Sequence, residues 1–190
     1  MRLCRPLEAG VTLARTWPRD DAIMSKTLTN PSEAAAPAPP RPRTDRPPLT
    51  GRCACGQVRL WARGRADRCY ACHCTECQTR TGSAFALLLP VGEVGFAVEG
   101  DLLAVEQIEA GGVAARLYAC PRCLTRLYTR NPHWPGLVVL RAGVLDDTGG
   151  VRPAFHIWTR SRQGWVEIPE DVPTFETQPN EPAEWRRLLG

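Results

Sequence analysis

The chain has 190 residues, of which 43% are hydrophobic and 23% are charged. This composition suits one globular domain and excludes a collagen, a coiled coil and a wholly disordered chain. The longest apolar run, residues 84–91, is far shorter than the roughly 20 residues that a membrane-spanning helix needs. The net charge is +4, of which residues 49–190 contribute +1, so this part lacks the basic surface of a nucleic-acid-binding domain.

Residues 1–48 are predicted to form a disordered leader. They hold nine of the 18 prolines, and residues 34–48 are a Pro/Ala/Arg run that buries too little surface to offset the entropy of ordering. No apolar segment of the length of a secretory signal follows Arg2 and Arg5, so we expect a cytoplasmic protein. Met24-Ser25-Lys26 resembles an ordinary protein start, which leaves residues 1–23 open as a mis-assigned extension.

The rest of the chain predicts a mainly β domain over residues 49–180, followed by a short helix or tail over 181–190. Apolar and polar residues alternate over 58–63, which indicates a half-buried strand. Gly111-Gly112 predicts a hairpin between the strands that flank it. The further strands are predicted over residues 84–90, 102–108, 113–119, 137–142 and 154–159.

Eight of the nine cysteines lie between Cys53 and Cys123. Their spacing reads C-x-C, then C-x2-C-x-C-x2-C, then C-x2-C. Without a secretory signal, metal thiolates are favoured over disulfides, although a disulfide framework stays open as an alternative.

The first and last of these groups predict one closed zinc site. Residues i and i+2 of a strand point to the same side, so C-x-C presents two sulfurs together. Cys120-Pro121-Arg122-Cys123 has the pattern of a tight knuckle that brings two more sulfurs onto one metal. The predicted structural zinc ligands are Cys53, Cys55, Cys120 and Cys123.

The middle group predicts a second, catalytic zinc held by Cys72, Cys74 and Cys77. Three sulfurs converge within six residues, and such a short segment supplies a fourth ligand only with difficulty. His73 points away from Cys72 and Cys74 if the segment is extended. Cys69 has two interpretations: a fourth ligand that closes the site, or a free buried thiol.

Four segments form a specific pattern when they are taken in order and at their separations. They are Gly51-Arg52-Cys53-Ala54-Cys55-Gly56, Cys72-His73-Cys74-Thr75-Glu76-Cys77 with Thr81-Gly82-Ser83, the Cys120–Cys123 knuckle, and Ala142-Gly143-Val144-Leu145-Asp146 with the later Pro153, His156 and Trp165. Together they resemble the glutathione-dependent formaldehyde-activating enzymes, a family grouped with centromere protein V. The resemblance covers residues 51 to about 179.

The resemblance implies twisted antiparallel sheets pinned by zinc, of the β-tent type, with two zinc ions divided between the cysteines as the spacing predicts. It also implies glutathione and formaldehyde as partners, and S-hydroxymethylglutathione as the adduct. Two features depart from the family pattern. Gln78-Thr79 stand where a basic residue is usual, so that Arg80 is the first basic residue after Cys77, and Cys69 is an additional cysteine.

The predicted chemistry is the making and breaking of a carbon–sulfur bond. A metal held by three thiolates lowers the pKa of an incoming thiol while its sulfur stays nucleophilic. The residues by themselves support a thiol and a small electrophile as the reactants, and with what the resemblance implies we expect a zinc-dependent carbon–sulfur lyase acting on a thiol–aldehyde adduct. Two other functions stay open: a non-catalytic zinc-stabilised binding module, whose second site Cys69 would close, and a thiol redox sensor. His156 is interpreted as a structural histidine or, alternatively, as a proton relay.

Overall fold

The computed structural model describes residues 47–109, 112 and 114–189. The predicted leader lies outside these residues except for Pro47 and Pro48. The described strands are β1 (Leu49–Arg52), β2 (Arg59–Ala62), β3 (Cys69–Cys72), β4 (Ala86–Gly92), β5 (Phe96–Glu99), β6 (Leu103–Ile108), β7 (Ala114–Ala119), β8 (Arg126–Arg130), β9 (Leu137–Arg141) and β10 (Pro153–Ile157). The α-helices are α1 (Thr75–Thr81) and α2 (Pro182–Leu189), and short 3-10 helices cover Ala66–Arg68, Glu93–Gly95, Ala142–Val144 and Thr159–Ser161.

The strands form two sheets. The smaller has the order β1-β2-β5, and the larger has the order β10-β3-β4-β9-β8-β7-β6. Every neighbouring pair is antiparallel except β10 with β3, which is parallel. The mainly β, antiparallel fold class is therefore confirmed, with one parallel pair at the edge of the larger sheet.

The predicted pairing of the strands that flank Gly111-Gly112 is confirmed, since β6 pairs with β7 from Leu103↔Ala119 to Ile108↔Ala114, while Gly111 itself lies outside the described residues. The two buried apolar runs become β4 and β9, which pair with each other inside the larger sheet. Strand β3 was not predicted, because all four of its residues are buried and the strand shows no alternation of apolar and polar residues.

Two apolar clusters cover the two faces of the larger sheet. The first joins it to the smaller sheet and contains Leu60, Leu89 and Leu140, each fully buried. The second lies on the opposite face, where the ring of Tyr70 stacks on Phe155 at 5.2 Å and meets the edge of Trp185 at 5.4 Å. Helix α2 thus covers the same face as the cysteines of the middle group.

None of the described helices combines the length and the apolarity that crossing a membrane requires.

Candidate metal and active site

The four cysteines of the first cluster come from two turns. Cys53 and Cys55 follow β1 in the smaller sheet, whereas Cys120 and Cys123 lie between β7 and β8 in the larger sheet. Each turn is closed by a backbone hydrogen bond, from Gly56 N–H to Cys53 O (3.0 Å) and from Leu124 N–H to Cys120 O (2.9 Å). Gly56 and Leu124 both have positive φ, at 77° and 57°, which is the geometry that curls each turn around its sulfurs.

The sulfur positions of the first cluster fit a tetrahedral metal. The Sγ atoms of Cys53 and Cys55 are 3.5 Å apart, and those of Cys55 and Cys120 are 3.7 Å apart. All four Sγ atoms lie within 4.8 Å of one another. Zinc–sulfur bonds of about 2.3 Å at tetrahedral angles require sulfurs about 3.8 Å apart. The donor set and its spacing therefore suit zinc, and a metal bound here would join the two sheets.

The second cluster is built where β3 runs into α1. Cys72 ends β3, Cys74 is the N-cap of α1, and Cys77 lies in its first turn. The sulfur of Cys74 caps the helix, because the backbone N–H of Cys77 donates a hydrogen bond to Cys74 Sγ at 3.4 Å. The three Sγ atoms lie within 4.8 Å of one another. Helix α1 was not predicted from the sequence, and it is this helix that turns Cys77 back toward the other two sulfurs.

A polar network holds the loop between Cys72 and Cys74 in place. The backbone carbonyl of His73 accepts hydrogen bonds from Gln78 Nε2 (2.8 Å) and from Ser161 Oγ (3.0 Å). Gln78 Nε2 also donates to the carbonyl of Ser161 (2.8 Å). Gln163 Nε2 in turn donates to Gln78 Oε1 at 2.9 Å. Gln78 thus fixes the peptide that separates two of the three sulfurs.

Cys69 lies outside the second cluster. Cys69 and Cys72 are three residues apart on one strand, so their side chains point to opposite faces of the sheet. Cys69 packs in the first apolar cluster and its Sγ donates to the carbonyl of Arg152 at 3.1 Å. Burial raises the pKa of its thiol to about 11. The free buried thiol is therefore the interpretation that the structure favours, and the closed second site that the binding-module alternative needs does not form through Cys69.

The two buried histidines pair with each other. His73 Nε2 and His156 Nδ1 are 2.8 Å apart, and both residues are buried. Burial lowers the pKa of His156 to about 4, and it also lowers the pKa of His73. The side chain of His73 is absent from the sulfur cluster, as the sequence predicts. This geometry favours a structural role for both side chains.

Arginines supply the positive charge near the second cluster. Hydrogen bonding with the Cys72 and Cys74 thiols, followed by the charges of Arg141 and Arg80, lowers the pKa of the Cys77 thiol to about 3. The sequence analysis named Arg80 but not Arg141, since Arg141 lies on β9, 64 residues after Cys77. Only the pairing of the strands brings it to this site.

Comparison with known proteins places these features in a family context. A family model described as glutathione-dependent formaldehyde-activating enzyme matches residues 48–161. A curated protein of Halomonas elongata, provisionally named a glutathione-dependent formaldehyde-activating enzyme, is 31% identical over 153 residues, covering 75% of this chain and 96% of the relative. A crystal structure of a Rhodobacter sphaeroides protein aligns with a TM-score of 0.42 and 18% identity, covering 55% of this chain and 91% of that one.

Proposed function

The chain belongs to the glutathione-dependent formaldehyde-activating enzyme family, and we propose that it is a zinc-dependent carbon–sulfur lyase. In this proposal it interconverts formaldehyde and glutathione, or a related thiol, with their adduct, such as S-hydroxymethylglutathione. The two small molecules are its partners, and two zinc ions are its cofactors.

The observation that carries the proposal is the difference between the two sulfur clusters. The first gathers four sulfurs, enough for a closed tetrahedral site. Among the described residues the second gathers three, and neither Cys69 nor the side chain of His73 joins them. Three protein ligands with an open position are typical of a catalytic zinc site, whereas four are typical of a structural one.

The two clusters would therefore have different roles. Cys53, Cys55, Cys120 and Cys123 would hold a structural zinc that joins the sheets, and Cys72, Cys74 and Cys77 would hold the catalytic zinc. Zinc bound by three thiolates supplies a position at which an incoming thiol loses its proton while its sulfur stays nucleophilic.

The reaction itself needs no oxidant or reductant. The thiol sulfur bonds to the carbonyl carbon of formaldehyde, the π-electron pair moves to the oxygen, and that oxygen takes up one proton as the thiol gives one to solvent. The reverse sequence releases formaldehyde from the adduct. The network through Gln78 and Ser161 would keep the Cys72–Cys74 loop in one conformation during both directions, so that the sulfurs stay preorganised.

The cytoplasm is the compartment that we propose. The eight cysteines among the described residues are all free, and four are nearly or fully buried within the two clusters. Thiolate clusters of this kind need a reducing compartment, because oxidation to disulfides would remove the metal ligands.

The test is NMR exchange spectroscopy of glutathione, formaldehyde and S-hydroxymethylglutathione with the zinc-replete full-length chain. We expect the parent chain to exchange these compounds faster than the spontaneous rate. Cys74→Ser removes one metal ligand and should lower the catalysed exchange rate at least about 100-fold. Cys69→Ser is the matched control, since Cys69 is buried but lies outside both clusters, and it should keep the activity of the parent chain. Spontaneous-rate exchange with fully zinc-loaded protein would overturn the proposal.

A further inference from the structure

Four buried polar side-chain atoms have no hydrogen-bond partner among the described residues. One of them, His73 Nδ1, belongs to the paired histidines, and the other three, Arg126 Nε, Thr129 Oγ1 and Arg141 Nε, lie on β8 and β9. Unpartnered polar atoms are uncommon in folded proteins, because leaving a buried donor or acceptor unsatisfied costs about 1–3 kcal/mol. Such a group of atoms therefore calls for an explanation.

The strand register places Arg141 on the same face as the second cluster. Leu88 on β4 lies opposite Tyr70 on β3 and opposite Arg141 on β9. Residues directly opposite each other point to the same face, and so do residues two apart on one strand. Cys72 is two residues from Tyr70, so Cys72 and Arg141 share the face that carries the second apolar cluster.

Thr129 lies on that face as well. It is opposite Val139 on β9, which is two residues from Arg141 and belongs to the second apolar cluster. Thr129 is also opposite Leu117 on β7. The hydroxyl of Thr129 is therefore directed to the side of the sheet that holds the cysteines.

A β-bulge brings Arg126 to the same side. The register of β7 and β8 shifts between Tyr118↔Tyr128 and Ala119↔Arg126, so one step on β7 matches two on β8. The extra residue, Leu127, is fully buried in the first apolar cluster together with Tyr128. Without the bulge Arg126 would share the face of Tyr128, whereas with it Arg126 points to the opposite face.

The charge of this patch is positive. Arg80, Arg126 and Arg141 form no ion pair with any carboxylate of the described residues. Arg126 donates from Nη1 to the carbonyl of Arg80 (3.4 Å) and from Nη2 to Gln107 Oε1 (2.6 Å). Arg80 Nη2 donates to the carbonyl of Ile108 at 2.6 Å.

The neighbouring carboxylate of Glu109 is already engaged. Its Oε1 accepts from Gln107 Nε2 (3.3 Å) and its Oε2 accepts from Asn131 Nδ2 (3.2 Å). Burial, followed by the charges of Arg141 and Arg80, lowers the pKa of Arg126 to about 10, although the charges of Cys77 and Glu109 act in the opposite direction. The three guanidinium groups thus repel one another at a place where an anion would be stabilised.

We propose that Arg126, Thr129 and Arg141 form a carboxylate-binding subsite beside the three-sulfur cluster. The inference rests on the proposed function and adds that the thiol substrate carries a carboxylate, which this subsite recognises. The carboxylate accepts from the guanidinium of Arg141, which otherwise donates no hydrogen bond to a described residue, and from that of Arg126. Arginine suits this role because its planar fork of donors matches the two oxygens of a carboxylate.

The opposing explanation is that the arginines only balance the negative charge of three thiolates. The two explanations predict different selectivity between ligands. A subsite distinguishes a free carboxylic acid from its ester, whereas simple charge balance affects the retention of the metal and leaves that distinction unchanged.

The probes are S-methylglutathione, which has carboxylates but no free thiol, and the same compound with both carboxylates esterified. Binding of each to the zinc-replete full-length chain is measured by calorimetry. We expect the acid to bind at least about tenfold more tightly than the diester, and Arg141→Gln to remove most of that ratio, as loss of a hydrogen bond between charged groups implies. Arg126→Gln should act in the same direction.

Arg116→Gln is the matched control, because Arg116 lies exposed on β7 and faces Glu106 rather than the cluster. It should keep the parent ratio, and circular dichroism confirms that each variant is folded. If an Arg141→Gln chain does not fold, Arg141→Lys takes its place. Lysine keeps the charge but lacks the planar fork of donors, so this substitution should still weaken binding of the acid. Equal binding of acid and diester by the parent chain, or no binding of either, would overturn the subsite.

The subsite would also be overturned if Arg141→Gln lost zinc to a chelator more readily than the parent chain but kept the parent ratio of acid to diester affinity. Charge balance alone predicts that result. Failure of the lyase proposal is recognised separately. In that case the acid still binds tightly and Arg141→Gln still weakens it, while exchange of S-hydroxymethylglutathione stays at the spontaneous rate.

Discussion

The substitution Cys120→Ser tests whether a metal at the first cluster holds the two sheets together. Cys120 is fully buried, and its Sγ lies 3.7 Å from that of Cys55, a residue 65 positions earlier in the chain. Treated as a cross-link, closure of a loop of that length restricts the unfolded chain by about 4 kcal/mol. The whole stability of a domain of this size is about 5–15 kcal/mol. Cys120→Ser should therefore remove a large part of the free energy of unfolding.

Cys69→Ser is the matched control for that measurement. Cys69 is equally buried, but its Sγ donates to the carbonyl of Arg152, a hydrogen bond that a serine hydroxyl can also make. We expect this substitution to cost about 1–2 kcal/mol, from the smaller side chain alone. The difference between the two variants isolates the contribution of the metal from the general cost of replacing a buried cysteine by serine.

The assay is urea unfolding of the zinc-replete chain, followed by far-ultraviolet circular dichroism, with released zinc measured in parallel. A chelator added to the parent chain should lower its unfolding midpoint toward that of Cys120→Ser, and should lower the midpoint of the variant by less, because the variant keeps only the second cluster. If Cys120→Ser and Cys69→Ser lost the same free energy of unfolding, the role assigned to the first cluster would be wrong.

Two further predictions concern the packing around the sites. A Cβ at Gly51 would lie 2.6 Å from the carbonyl oxygen of Val144, so Gly51→Ala should cost about 1–3 kcal/mol in thermal unfolding, whereas Gly143→Ala, with open space around its Cβ, should be nearly neutral. Equal melting temperatures of the two variants would contradict this. Burial, followed by the nearby His73, lowers the pKa of His156 to about 4, below its ordinary value of about 6.5. Protonation therefore favours the unfolded chain: stability is complete above pH 6.5 and falls by up to about 3 kcal/mol as the pH drops toward 4. His156→Asn should flatten the dependence of the urea midpoint on pH over that range, and an unchanged slope would refute the assignment.

The grouping of the cysteines was predictable because it depends on local geometry. A C-x-C pair in an extended segment and a C-x2-C knuckle present their sulfurs together whatever the surrounding fold, and so the two clusters follow from spacing. The pairing of β6 with β7 was predictable for the same reason, since Gly111-Gly112 is a turn signal between two neighbouring strand segments of the sequence. In each case the residues that decide the structure are neighbours in the chain.

Helix α1 was not predicted, because the residue that caps its N-terminus is of an unusual type for that position. Cys74 acts as an N-cap through its sulfur, and Gly82 ends the helix with a positive φ of 62°. Capping rules name oxygen-bearing side chains at the N-cap, so a cysteine there gave no signal. The helix has seven residues and no buried position of its own, which leaves no amphipathic pattern for the sequence to display.

The sequence by itself determined the grouping of the cysteines into two sets of candidate metal ligands, the mainly β class and the family resemblance. The tertiary structure decided which side chains surround the second cluster. Cys69 is excluded because β3 directs it to the opposite face from Cys72. Arg141 is included because β9 is aligned with β4, and Arg126 is included because a bulge in β8 reverses its direction. Strand register and bulges are set by packing between distant segments, which spacing along a single chain does not reveal.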